Sequence, residues 1–181
     1  MTEYQKLLIP IDDGASDHLK NITIPDISLP NQESIPLRLY RADTFRIILY
    51  FFSMTGRPDR PLPHNWNLIP GAKGCTLQTS SFRDNYDAFI SSNAMPVGIS
   101  TQSINDNKEM TSRLGIPFDV LSDEKLELKN LLNLPIFLIN NQVYLKRLTL
   151  IIEKNIIKKF FYPIHPIDKH VEEVLKWLQE N

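Results

Sequence analysis

The run FRIILYFF, residues 45–52, is apolar or aromatic at every position but Arg46. It is too short for a typical helix, and its β-branched and aromatic residues read as a strand buried on both faces at the centre of a sheet. Eight residues also fall far short of a membrane span. Immediately after it, SMTGRPDRPLPHNWNLIPGAKG (53–74) carries prolines at 58, 61, 63 and 70 and must be a loop. A loop of that length inside a compact domain is usually functional. Before the run, residues 1–44 are rich in Pro, Asp, Asn and Ser. The short apolar pieces LLIPI, ITIPDISL and IPLRLY there read as edge strands separated by turns.

Beyond the loop the pattern turns helical from Cys75 to about Ser92, with Phe82, Tyr86 and Phe89 at spacings of four and three. AMPVGIST (94–101) reads as a second buried strand, and SINDNKEMTSRLG (103–115) as a helix closed by Gly115. PFDVLSD supplies a short strand. EKLELKNLLNL (124–134) reads as a helix with Asp123 or Ser122 as its cap. The segment 144–163 reads as a hairpin turning at Lys154–Asn155, and DKHVEEVLKWLQEN as an amphipathic helix with Val171, Val174, Leu175 and Leu178 on one side. Strands alternating with helices imply parallel pairing, and the hairpin adds an antiparallel edge. The expected fold is a thioredoxin-like three-layer α/β/α sandwich: a central mixed sheet with N-terminal short strands, and residues 1–181 as a single domain.

Composition narrows the function. With 42% hydrophobic and 23% charged residues the chain is ordinary for a soluble domain. Twenty basic residues against 21 acidic ones leave a net charge of −1, which gives no electrostatic case for nucleic acid or an acidic membrane as partner. The N-terminus MTEYQKLLIPIDDGASDH lacks the apolar core of a secretion signal, so a cytoplasmic protein is expected. The four histidines, at 18, 64, 165 and 170, are scattered and accompanied by no cysteine or acidic cluster, so no metal site is expected. No glycine loop for a phosphate is present, and no cofactor is expected.

Cys75 is the only cysteine, so no internal disulfide can form. It opens a helix directly after a buried strand and its loop, where unpaired backbone N–H groups and the helix dipole favour a thiolate. Gly74 before it allows close backbone approach, and Lys73 adds positive charge. Arg57 and Arg60 add charge to the same loop, and Trp66 lies within it.

The segment GCTLQTSSFRDNYDAF resembles the GCT–four residues–FRD block of peroxiredoxins, and most closely the bacterioferritin-comigratory, or Q-type, branch. LYFFSMTG, VGISTQS, PFDVLSD and KRLTLIIEKNIIKKFFYP resemble further elements of that family, in the same order. The resemblance implies that Cys75 is the peroxidatic cysteine and that Arg147 holds the peroxide and stabilises the thiolate. It matches Thr55 to the threonine that orients the peroxide. Three positions depart from the pattern: Ser53 stands where a shielding proline is usual, Ala72 where most relatives have threonine, and Ser80 where many have a resolving cysteine. The implied activity is a thiol-dependent peroxidase acting on hydrogen peroxide or organic hydroperoxides. Its sulfenic acid would be recycled by an external thiol such as thioredoxin, glutaredoxin or glutathione, in a monomer or homodimer. The rival expectation is a peroxide sensor or redox interaction protein with weak peroxidase activity.

Overall fold

A computed structural model describes residues 9–41 and 45–181. Five strands form the central sheet. The run that opened the sequence reading is β3 (Arg46–Phe51), and it lies in the middle, between β4 (Ala94–Ser100) and β8 (Leu148–Glu153); β5 (Val120–Ser122) and β9 (Ile156–Phe161) close the edges in the order β5-β4-β3-β8-β9. β3, β4 and β5 are parallel to one another, whereas β8 runs antiparallel to β3 and to β9. The mixed sheet is therefore the one expected from alternation followed by a hairpin.

The period-two alternation of β3 divides the interior into two layers. Ile47, Leu49 and Phe51 face a core with Val97, Ile99, Leu150 and the helix α4 (Glu127–Leu132). Ile48, Tyr50 and Phe52 face the opposite core. That core holds Cys75 and Phe82 of α1 (Cys75–Asp84), Phe89 of α2 (Tyr86–Ser91), Met110 of α3 (Ile104–Leu114), and Val171, Val174 and Leu178 of α5 (Ile167–Glu180). With helices covering both faces, the sandwich is three-layered and thioredoxin-like. Two small antiparallel pairs stand apart from it: β1 (Ser28–Pro30) with β2 (Pro36–Arg38), and β6 (Ile136–Ile139) with β7 (Gln142–Leu145).

Several expectations shift in detail. The helix read over 75–92 is broken at Asn85, whose side-chain amide and backbone N–H both donate to the Ser81 carbonyl, at 2.9 and 3.2 Å. An asparagine that bonds its own backbone in this way competes with helix propagation. The helix read over 124–134 keeps only six residues, because Leu126 and Asn133 both adopt left-handed backbone (φ 60° and 46°). Asp123 still caps it, its carboxylate accepting from the N–H groups of Leu128 (3.1 Å) and Lys129 (2.8 Å). Of LLIPI, Leu7 and Leu8 lie outside the described residues, and Ile9–Ile11 form no strand. ITIPDISL and IPLRLY contribute β1 and β2. No helix among the described residues is long and apolar enough to cross a membrane.

Candidate active site

α1 begins at Cys75 because Gly74 can take the left-handed backbone (φ 98°) that turns the loop into the helix. No side chain caps this start, and the first intrahelical bond runs from the Gln78 N–H to the Gly74 carbonyl at 2.9 Å. The N–H groups of residues 75–77 are therefore left at the helix's positive end, where an anion is favoured. Cys75 itself is 2% exposed. Its thiol donates to the Ala72 carbonyl at 3.6 Å, and Nη1 of Arg147 reaches its Sγ at 3.7 Å.

Arg147 precedes β8 by one residue, and the β3–β8 pairing carries it to the loop at the end of β3. Arg147 as a whole is 6% exposed; its Nη1 also donates to the Lys73 carbonyl, while Nε is buried without a protein partner among the described residues. The nearly buried guanidinium thus places positive charge beside the sulfur. Ile167, the first residue of α5, lies against Gly74. A Cβ built on Gly74 would lie 2.4 Å from Ile167 Cδ1, so a larger residue there would force the tip of the Ile167 side chain to move.

The structure thus brings Cys75 and Arg147 together. Thr55 is buried too, but its backbone N–H donates to Gln102 Oε1 at 2.9 Å and its hydroxyl to the same oxygen at 3.4 Å. Among the described residues no hydrogen bond joins Thr55 to Cys75 or Arg147. The loop charges do not collect at the thiol: Arg57 and Arg60 both bond Asp106, at 3.2 and 3.1 Å, and Arg57 also pairs with Asp59. Arg83 pairs with Asp84 and donates to the Leu114 carbonyl, fixing α1 to the end of α3 and not to Arg147. Trp66 is buried against Phe137 and Tyr144, in a small cluster that also takes in Ala72, Met54 and Ile69. It anchors the loop to the β6–β7 hairpin. No group of three metal-ligating side chains occurs among the described residues.

Sequence reasoning passed over Ile167, whose place above Gly74 has no local signal. It also passed over Gln78, fully buried with both amide atoms unpaired. The three-residue step from Cys75 to Gln78 on one helix face was a signal available for it.

Residues 67–160 match the AhpC/TSA family. A chloroplastic peroxiredoxin Q of Sedum lineare is 30% identical over 162 residues, covering 88% of this chain and 77% of the relative. The Arabidopsis thaliana protein of the same name is 28% identical, covering 88% and 67%. Among solved structures, the peroxidoxin BcpB of Mycobacterium tuberculosis superimposes with a TM-score of 0.73 at 21% identity, covering 89% of this chain and 96% of its own. A PrxQ mutant of Xylella fastidiosa gives 0.72 at 18%, covering 89% and 95%. With the lone cysteine at an uncapped helix start beside a buried arginine, these likenesses make the chain a member of the AhpC/TSA family, a Q-type peroxiredoxin and hence a thiol peroxidase.

Proposed function

We propose that Cys75 is the peroxidatic nucleophile and Arg147 its electrostatic partner, acting on hydrogen peroxide or organic hydroperoxides. The observation that carries this reading is the 3.7 Å approach of Arg147 Nη1 to Cys75 Sγ at a helix start with no side-chain cap. The thiolate attacks the nearer peroxide oxygen; the S–O bond forms as the O–O bond breaks. Sulfur loses two electrons to the peroxide, and the departing oxygen leaves as hydroxide or alkoxide and takes up the proton that the thiol gave up. Arg147 and the backbone N–H groups of the first turn oppose the charge that grows on that oxygen.

The product is a sulfenic acid on Cys75. With no second cysteine in the chain, its reduction falls to an external thiol such as thioredoxin, glutaredoxin or glutathione. Thr55, which the resemblance assigned to the peroxide, enters the same proposal with Gln102 as its holder. A Thr55→Val variant that lowers the oxidation rate at unchanged stability supports that role.

Stopped-flow oxidation of the protein by hydrogen peroxide, read by loss of free thiol, tests the main reading. The parent should react orders of magnitude faster than a free cysteine at the same pH, and Cys75→Ser should take up no oxygen. A parent no faster than free cysteine overturns the peroxidase reading and leaves the interaction-protein alternative.

A further inference from the structure

Between β9, the turn that follows it and α5 lies a cavity of about 400 Å³, which Lys20 reaches from the N-terminal segment. Neither Cys75 nor Arg147 lines it. Lys20, Lys159, His165 and His170 can each carry positive charge there, and Glu173 is the one acid in its walls. In a chain of net charge −1 that surplus is local. Lys108 and Lys146 are matched by acids at 2.6 and 2.7 Å, whereas Lys20 and Lys159 pair with no acid among the described residues. The Lys159 ammonium instead rests 5.2 Å from the centroid of the Phe161 ring.

His170 forms a buried part of the wall, 1% exposed. Its Nε2 is engaged by the Thr149 hydroxyl at 2.8 Å, so Nδ1 is the polar atom left over. Nδ1 has no hydrogen bond among the described residues, and Glu173 Oε2 stands 4.0 Å away. With the Thr149 hydroxyl donating to Nε2, a neutral imidazole carries its proton on Nδ1 and can donate it to an anion. Phe160, Phe161, Tyr162 and Pro163 supply half-buried apolar surface, and the Tyr162 hydroxyl is already bonded to Asp13 at 2.8 Å.

The cations here are ammonium and imidazole groups, with no guanidinium among them. Planar carboxylates are matched by the arginine fork, whereas lysine acts as a point charge and suits the compact, multiply charged phosphate group. A cavity of this size also exceeds what a bare ion needs and falls in the range of small organic ligands. We propose that it binds a small aromatic phosphate monoester: the two lysines and His170 Nδ1 hold the phosphate, and the ring lies on the aromatic wall. A mononucleotide and a simple aryl phosphate share that chemistry. Binding involves no step at Cys75, so the site stands or falls apart from the peroxidase reading.

Calorimetric titration with phenyl phosphate, AMP and inorganic phosphate tests this, with phenol and adenosine as the uncharged counterparts. At least one ester should bind about fivefold tighter than inorganic phosphate, through its ring, and the uncharged pair should show no saturable binding. The tighter ester shows whether the ring sits directly on the phosphate or at a sugar's length from it. Lys20→Ala and Lys159→Ala should each weaken binding about fivefold, the upper end for an exposed ion pair, and added salt should weaken it in the parent. Glu173→Gln should tighten it, and Lys125→Ala, outside the cavity, should leave it unchanged. The 15N signal of His170 Nδ1 should shift on saturation, a response that a purely structural imidazole would not give. Equal affinity for inorganic phosphate and both esters overturns the aromatic ligand. Binding untouched by either lysine variant, or no binding at all, overturns the site.

Discussion

Gly74 meets two demands at once, a left-handed backbone and the approach of Ile167. Replacing it with alanine should cost about 1–2 kcal/mol from backbone handedness alone. The clash is with the tip of a flexible side chain, so Ile167→Ala in the same chain should recover the steric part and leave the backbone part. Urea unfolding of the two single variants and the double variant separates these contributions. Arg147 makes the sharper prediction. Its guanidinium bridges the Lys73 carbonyl and the sulfur from one nitrogen, a fixed geometry that a lysine's single flexible ammonium does not reproduce. Arg147→Ala should slow Cys75 oxidation about a hundredfold, equivalent to about 3 kcal/mol, and Arg147→Lys should recover little of it. A parent-like rate in either variant would return Arg147 to a purely structural role.

α1 carries both the thiol and, five residues on, Ser80. Along an intact helix that step alone rises ~7.5 Å, beyond the roughly 4.4–6.8 Å that a disulfide allows between Cα atoms. In Ser80→Cys, oxidation by one equivalent of peroxide should therefore yield an internal disulfide only if the first turns of α1 unwind. Intact mass after quenching distinguishes loss of two hydrogens from gain of one oxygen. The parent should gain one oxygen and then more under excess peroxide. The strands and helices that position this site were legible because their signals are local: period-two burial in β3, and Gly115 ending α3 in left-handed backbone. The β6–β7 hairpin was passed over although its turn, Asn140–Asn141, has the same paired positive φ angles as the recognised turn at Lys154–Asn155. The short 136–139 strand alternates weakly, and its partners lie in the loop cluster around Trp66, which no window along the chain contains. Cys75 was readable from its neighbours. The pairing of Cys75 with Arg147 was not, since it depends on β8 lying beside β3, and only the family resemblance supplied it.

Across the molecule, His170 ties the last helix to the sheet. It is almost fully buried; Nε2 lies 2.8 Å from the Thr149 hydroxyl, Nδ1 is 4.0 Å from Glu173 Oε2, and the rings of Phe82 and Phe161 meet it edge-on. Burial first, and the charge of Arg147 second, lower its pKa to about 4. The unfolded chain binds this proton near pH 6.5 and the folded chain only near 4, so stability is full above 6.5 and declines as pH falls through that window. The loss should reach on the order of 2–3 kcal/mol by pH 4.5. Urea unfolding at pH 7 and 4.5 should show it, and His170→Gln, which can keep a bond to Thr149, should show less of it. A parent whose stability is level between those pH values would mean that the imidazole stays solvated.

The sheet order has a further consequence, for the chain while it is being made. Cys75 and Arg147 are 72 residues apart, and β8 must enter beside β3 after β4 and β5 have already been synthesised. At ordinary translation speeds the cysteine leaves the ribosome roughly 4–14 s before its arginine. Through that interval the sulfur lacks its cation, and β3 presents an open edge to any neighbouring strand. The nascent polypeptide thus carries an unpartnered sulfur beside an adhesive edge. The arrival of β8 brings Arg147 to the sulfur and covers the open edge of β3, so the site is completed and the edge protected in the same step of synthesis.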